Sequence, residues 1–256
     1  VKECMDRNIV LKPQPKATLW HTYECAHVIT PIKGIYKHCV LLDFQSLYPS
    51  IIIAFNICPS TYTTDPTIKA TINQHRFRTD TVGMFPGMIK RLLRERTHVK
   101  KLMSACDPTS MQHVVLHRRQ NALKVCANSV YGIMGFKNSK YFGHVGCAES
   151  VTAIGRMYLS KVITEIEHDP DLKVIYGDTD SCMVYNKNQS KIDSGTNKQD
   201  MIHTAHKICN DITAHVLPEP MVLSFESYYD SVGLLSKKRY IMLHGNNVSY
   251  KGVIIA

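Results

Sequence analysis

Two carboxylates stand two residues apart, Asp178 and Asp180, in the string Tyr176-Gly177-Asp178-Thr179-Asp180-Ser181. The β-type run Lys173-Val174-Ile175 leads into it, and Cys182-Met183-Val184-Tyr185 leads out. That pattern predicts a hairpin with acids at its tip. An acidic tip by itself is commonly a solvated turn. Here another apolar run, Cys39-Val40-Leu41-Leu42, delivers a third carboxylate, Asp43, at its end. Converging carboxylates repel unless a cation neutralises them, and oxygen-only ligand sets suit Mg²⁺. A pair of such ions about 3.5–4 Å apart is a common device for in-line phosphoryl displacement. The carbonyl of Phe44 is a further candidate ligand, since hard cations accept carbonyl oxygen. Glu226 is either a support for the metal pair from a facing strand or a surface carboxylate. Asp43 as a helix cap is the bland alternative, but it stands too early for the helix expected after Tyr48.

Cations are patterned as well. Lys124, Asn128 and Tyr131 fall at i, i+4 and i+7 and share one helix face. Arg96 and Lys100 fall at i, i+4 on a neighbouring helical pattern. Each set reads alone as a solvated polar face; two basic stripes on paired helices also fit a clamp for a triphosphate. Lys237-Lys238-Arg239-Tyr240 places three cations at the start of a β-type run. Alternation there predicts Lys237 and Arg239 on one face, Lys238 and Tyr240 on the other. A charged edge strand and a phosphate-backbone contact both fit.

The elements that must position these groups follow from periodicity. Ile35 to Phe44 predicts a strand, and Pro49 opens a short helix over Ser50 to Phe55. Cys58 to Thr81 reads as polar and irregular. Helical patterns run from Pro86 to about Ala105 and from about Ser110 to Tyr131, the second stopped by Gly132. Joined by Asp107-Pro108, they predict a projecting αα-hairpin. Between Lys90 and Lys124 it carries nine Lys and Arg against only Glu95 and Asp107. A third helix is expected over Cys147 to His168, a mobile polar loop over Asn186 to Lys198, and a fourth helix over Asp200 to Leu217. Strands are expected over Met221 to Tyr228 and Leu234 to Leu243, then a hairpin at Gly245-Asn246-Asn247. The order argues an α+β fold with a largely antiparallel sheet.

A chain of 256 residues with net charge +10 and 44% hydrophobic residues can bury a core and favours a polyanionic partner. Nine cysteines occur without a CxxC pair, and Cys39, Cys126, Cys147 and Cys209 sit in apolar or helical runs. This predicts reduced, mostly buried thiols in a reducing compartment, not a disulfide framework or zinc site. His203, His206 and His215 lack a matching ligand cluster. No signal peptide is visible, and the longest apolar stretch, Ile51 to Phe55, is too short for a bilayer. The start without Met and the stop within Val253-Ile254-Ile255-Ala256 suggest an excerpt of a longer polypeptide.

Together the strings resemble family B DNA polymerases. Asp43-Phe44-Gln45-Ser46-Leu47-Tyr48-Pro49-Ser50-Ile51 is similar to the family's motif A. Lys124 to Gly132 is similar to motif B, Tyr176 to Ser181 to motif C, and Lys237 to Tyr240 to its lysine-containing primer-template motif. The likeness runs from about Ile35 to Ala256. Residues 121–135 and Tyr250-Lys251-Gly252-Val253 look most like replicases of large DNA viruses such as herpesviruses or baculoviruses. The resemblance implies an antiparallel-sheet palm with an inserted helical-hairpin fingers subdomain, divided as palm 1–84, fingers 85–135 and palm 136–256. It implies two Mg²⁺ ions, replaceable by Mn²⁺, bridged by Asp43 and Asp180, with Asp178 a weaker or outer-sphere ligand. Arg96, Lys100 and Lys124 would hold a dNTP triphosphate. Tyr48, with Ser46 and Leu47, would pack under its sugar, and Asn128, Tyr131 and Gly132 would line the nascent base pair. Lys237, Lys238, Arg239 and Tyr240 would touch primer-template DNA. A processivity factor and a host nucleus would complete the setting, with no membrane. The family's exonuclease motifs are not found, and no thumb follows Ala256. Two rivals stay open: a decayed nucleic-acid-binding scaffold, which loss of Asp43 or Asp180 would mark, and a two-metal nuclease, which titration with dNTP would separate.

Overall fold

The computed structural model describes residues 22–24, 28–136, 138–187 and 197–253. They divide into two compact units. One comprises residues 48–154 with 22–24; the other comprises residues 28–47 with 155–253.

The second unit is built on a six-stranded sheet ordered β4-β5-β1-β6-β7-β8. Its strands are β1 (Gly34–Phe44), β4 (Leu172–Asp178), β5 (Ser181–Asn186), β6 (Leu223–Ser236), β7 (Arg239–His244) and β8 (Asn247–Lys251). All neighbouring pairs are antiparallel. β1 lies between β5 and β6, and Cys39, Val40, Leu42 and Phe44 along it are buried. Burial of successive residues marks a strand covered on both faces. Cys39, Ile175, Tyr176, Met183, Val232, Leu234, Tyr240 and Met242 form one cluster of the core. Helix α5 (Asn197–His215) packs against β6 and β1.

The expected break between strands at residues 229–233 is absent. β6 runs unbroken from Leu223 to Ser236, because Tyr229 to Leu234 pair with β1 on one side while Ser231 to Leu234 pair with β7 on the other. Buried Val232 anchors this stretch, which its polar neighbours Asp230 and Ser231 disguised. The turn therefore falls at Lys237-Lys238, not inside a strand. Alternation applies only from exposed Arg239 and buried Tyr240 onward. The hairpin at Gly245-Asn246 joins β7 to β8 as expected.

The first unit holds α2 (Met84–Ser104), α3 (Met111–Gly135) and a two-stranded pair, β2 (Tyr62–Thr63) and β3 (Arg76–Phe77). That pair lies where only irregular chain was expected. The αα-hairpin is present. Arg119 meets Glu95 at 2.7 Å, and Arg96 Nε donates to Gln120 Oε1 at 3.3 Å, so the helices pack antiparallel. Ser110 caps α3, its hydroxyl accepting from the His113 N–H at 3.1 Å. Gly132 does not end α3. It sits exposed inside the helix, which continues because Val130 and Met134 are buried and outweigh a glycine penalty of about 1 kcal/mol.

Two further helices are described. α1 (Leu47–Ala54) starts earlier than expected, so Tyr48 lies in its first turn and Ser50 is buried inside it. α4 (Val145–Glu167) matches the third expected helix. α5 starts at Asn197, three residues before the expected Asp200; the polar loop before it lies mostly outside the described residues. Seven free cysteines are described: Cys39, Cys58, Cys147, Cys182 and Cys209 are buried, Cys106 is half-buried, and Cys126 is exposed on α3, against expectation. Cys126 stands at the edge of the packed face of α3, four residues before buried Val130, and stays open to solvent.

Candidate active site

The acidic hairpin forms as expected, with β4 and β5 paired from Leu172↔Asn186 to Asp178↔Ser181. β1 runs antiparallel beside β5, and Asp43 pairs with Ser181. The Phe44 N–H donates to the Asp180 carbonyl at 2.8 Å. Strand register alone thus places Asp43 and Asp180 on adjoining strand ends. Both line one cleft of about 280 Å³, with Leu41, Tyr176, Gly177, Tyr229, Tyr240 and Glu226 among its walls. Leu41 and Asp43, two apart on β1, share the cleft face by the period of a strand.

Glu226 reaches that cleft through a β-bulge. Leu41 pairs with Ser227 and Leu42 with Phe225, so Glu226 is the extra residue of β6. The bulge lets Phe225 and Tyr228 both turn to α5, where they meet His206 (ring centroids 4.9 Å apart) and Lys198 (Nζ 5.1 Å from the ring centroid). Glu226 and Tyr229 turn to the cleft instead.

Asp178 is placed differently. Its Oδ1 lies 3.2 Å from Lys238 Nζ and accepts from the Thr179 hydroxyl at 3.1 Å. It is not among the residues lining the cleft. The divergence of Asp178 from Asp180 has a backbone cause: Thr179 between them has φ 62°. A β-branched residue there is a steric outlier, of the kind that clusters at functional sites. Lys238 also takes a positive φ, 61°, and its N–H donates to the Tyr176 hydroxyl at 2.9 Å.

Lys251 is the residue that sequence reasoning passed over. It lines the cleft from β8. Its pKa is pushed up by a hydrogen bond with Tyr240, aided by the Asp178 and Glu226 charges. The signal was a lysine at the end of an edge strand, which has no distinguishing mark. Among the other titrating groups of this unit, burial pushes the Cys182 thiol up to about 12, with Cys209 and Asp43 adding to it.

Among the described residues no three His, Cys, Asp or Glu side chains converge as a preformed metal cage. Asp43 and Asp180 on joined strands, with Glu226 in the same cleft, are nonetheless an all-oxygen donor set. Such a set fits Mg²⁺, which keeps waters and substrate oxygens in its shell.

The remaining expected site residues are distributed over both units. Phe44 is buried. Ser46 has φ 54°, a left-handed turn that closes the link between β1 and α1. Leu47 is buried, and Tyr48 is half-buried. In the first unit the Tyr48 ring packs on the Tyr131 ring, centroids 4.6 Å apart, and Tyr131 Oη lies 3.5 Å from Tyr23 Oη. Lys124, Asn128 and Gly132 are exposed on α3 and Tyr131 is half-buried, beside the packing residues Ala127 and Val130. On α2, Lys100 is exposed and Arg96 is half-buried, its guanidinium steadied by Gln120. Lys237 and Lys238 are exposed on the turn after β6, Arg239 is exposed at the start of β7, and Tyr240 is buried.

A family model described as DNA polymerase family B matches residues 1–255. The DNA polymerase of Archaeoglobus fulgidus is 34% identical over 220 residues, covering 86% of this chain and 26% of that protein. The DNA polymerase delta catalytic subunit of Plasmodium falciparum is 33% identical over 262 residues, covering 93% and 23% respectively. The solved structure of the family B DNA polymerase from the hyperthermophilic archaeon Pyrobaculum calidifontis superposes with a TM-score of 0.71 at 27% identity, over 98% of this chain and 31% of that one. The chain therefore spans between 23% and 31% of the length of these relatives.

Proposed function

We infer that this chain, which belongs to DNA polymerase family B, carries the nucleotidyl-transfer chemistry of template-directed DNA synthesis. The observation that supports this most is the pairing of β1 with β5, which sets Asp43 and Asp180 on adjoining strand ends in one cleft. In the reaction the primer 3′-oxygen bonds to the α-phosphorus of a dNTP. The bond from that phosphorus to the β-phosphate oxygen breaks, pyrophosphate leaves and the hydroxyl proton goes to solvent. The chemistry supplied by Mg²⁺ or Mn²⁺ bound at Asp43 and Asp180 is activation of the 3′-hydroxyl and neutralisation of the leaving charge.

The protein's own share is position and electrostatics. The Phe44 carbonyl and Glu226 are auxiliary oxygen ligands, and Asp178 acts from outside the cleft. Arg96, Lys100 and Lys124 neutralise the triphosphate. Tyr48, oriented by Ser46 and Leu47, supports the sugar, while Asn128, Tyr131 and Gly132 face the nascent base pair. Lys237, Lys238 and Arg239 meet primer-template phosphates, where each neutralised phosphate adds salt-dependent affinity, and buried Tyr240 supports their turn from the core. A processivity factor and the remaining parts of a polymerase are partners for the same activity. No helix among the described residues is long and apolar enough to cross a membrane. The likeness to viral replicases rests on residues 121–135 and Tyr250 to Val253; the relatives above are archaeal and eukaryotic, so the reading stands at the level of the family.

The test is primer extension by the intact protein carrying Asp43→Ala or Asp180→Ala. Incorporation is expected to be abolished while duplex affinity, measured by fluorescence anisotropy, survives. Residual extension within about tenfold of wild type, or 1.4 kcal/mol of barrier, would overturn the assignment of either acid.

A further inference from the structure

One set of polar side chains in the unit of residues 48–154 has no part in the chemistry proposed above. His75, just before β3, has its Nε2 3.1 Å from Glu149 Oε2 and its Nδ1 3.2 Å from Tyr62 Oη. The side chains of His75 and Glu149 are only 22% and 25% exposed. Both ring nitrogens of His75 are thus engaged: the carboxylate accepts from Nε2–H, and the phenol is paired with Nδ1. Gly146 makes room for the ring, since a Cβ there would stand 2.9 Å from His75 Cε1. Asn73 adds to the same attachment: its Oδ1 lies 3.1 Å from the buried Ser150 hydroxyl, which shares its single hydrogen with the Gly146 carbonyl at 2.7 Å. The turn before β3 is thus fastened to the first turns of α4 at two points.

From Tyr62 the contacts run on to α3. The Tyr62 ring packs on the His144 ring, centroids 4.4 Å apart. The His144 N–H donates to the Met134 carbonyl at 2.8 Å, closing the last turn of α3. The His144 Nδ1 accepts from the Cys147 N–H at 3.2 Å, so the same residue caps α4. Met134 lies three residues after Tyr131, on the helix that also carries Lys124 and Asn128.

We propose that His75 is a positioning residue for the C-terminal half of α3: held between Glu149 and Tyr62, it fixes His144, and His144 fixes the turn that presents Tyr131 to the incoming nucleotide. This rests on the reading of the Lys124–Asn128–Tyr131 face as the nucleotide site. A mere brace for the fold would behave otherwise. Its loss lowers stability and the active fraction, hence the apparent kcat, and leaves the KM for dNTP and the misinsertion frequency unmoved. Loss of positioning moves both of those.

The experiment is single-nucleotide insertion by the intact protein, well below the melting temperature of each variant. Tyr62→Phe keeps the ring and removes one hydroxyl; Glu149→Leu removes the acceptor; Glu149→Gln keeps an amide oxygen to accept from Nε2–H. Tyr62→Phe and Glu149→Leu are expected to raise the KM for the correct dNTP roughly three- to tenfold, the worth of one hydrogen bond. Misinsertion should rise with it, and kcat should stay within about twofold. Glu149→Gln should remain close to wild type. A lower kcat with KM and misinsertion unchanged in both disrupting variants would overturn the proposal. Lys124→Ala in the same assay separates the two levels. If it leaves both kcat and KM unchanged, the nucleotide-site reading fails; if it impairs insertion while Tyr62→Phe and Glu149→Leu leave KM and misinsertion unchanged, only the positioning role falls.

Discussion

Asp178 gives the sharpest test of how the acids divide their work. In motif order it is the first acid of the tip, and by type alone it is as good a metal ligand as Asp180. Its carboxylate instead pairs with Lys238 at 3.2 Å, with the lysine side chain 64% exposed and the aspartate 22% exposed. Coulomb attraction at that separation is about 1 kcal/mol in water and about 5 kcal/mol at an effective dielectric of 20. The exposure of Lys238 puts the pair near the lower figure, and measured exposed pairs give roughly 0.2–1 kcal/mol. Asp178→Asn should therefore cost under about 1 kcal/mol of stability and lower incorporation by less than about tenfold. Asp43→Asn should remove incorporation. A double-mutant cycle of Asp178→Ala with Lys238→Ala, read by single-turnover incorporation and by primer-template affinity, should give a coupling of about 0.5–1 kcal/mol that fades with added salt. If Asp178→Asn is as inactive as Asp43→Asn, Asp178 is a direct metal ligand in the working enzyme and its bond to Lys238 is incidental.

Three further outcomes follow from the same geometry. Arg96→Ala and Lys124→Ala should each slow incorporation about 10²–10³-fold in single-turnover titrations with dNTP; a fall in duplex affinity with an unchanged rate would make α2 and α3 a DNA surface instead. Tyr48→Ala should keep dNTP incorporation within about an order of magnitude and admit rNTPs far more readily, whereas equal losses for both substrates would mean that Tyr48, packed on Tyr131, serves only the fold. Burial, aided by His75, holds the His144 pKa below the ordinary 6.5, so the unfolded chain binds the extra proton as pH falls. Stability should be full above about pH 6.5 and decline below it, and His144→Asn, which keeps a capping acceptor and does not titrate, should flatten that decline in thermal melts across pH; an unchanged acid limb would assign it to other groups.

Much of this arrangement was legible in the residues. The strand ending at Asp43, the acidic hairpin and the αα-hairpin each depend on short-range patterns: an apolar run, turn residues between β-type runs, and helical stripes parted by Asp107-Pro108. What escaped depends on partners distant in sequence. Residues 229–233 read as a break because Asp230 and Ser231 are polar, yet pairing with both β1 and β7 keeps them in one strand. Gly132 read as a helix end, yet the packing of Val130 and Met134 carries α3 past it. Lys237 and Lys238 read as strand residues for the same reason that β6 was cut short. Lys251 was invisible because only the folded sheet brings β8 to the cleft.

The separation of Asp178 from Asp180 shows why the site needs a stiff sheet around it. Three non-glycine residues near the acids take left-handed backbone: Ser46 after Asp43, Thr179 between Asp178 and Asp180, and Lys238 facing Asp178. Each such residue costs on the order of 1–3 kcal/mol and persists only where its surroundings leave no alternative. Here the surroundings are identifiable. Phe44 N–H to Asp180 carbonyl ties the two strand ends, Gln45 N–H to Val222 carbonyl ties the chain just before Ser46, and Tyr176 holds the Lys238 N–H. Buried Leu42, Phe44, Tyr176 and Leu223 fix the strands that supply those bonds. The tip is a two-residue turn, Thr179-Asp180, between the paired Asp178 and Ser181, and tight hairpin turns of this length take a positive φ at their first residue. With a β-branched residue in that place, the turn sends one acid to a lysine and the other to the cleft, so the negative charge facing a cation comes from separate segments that the sheet holds together.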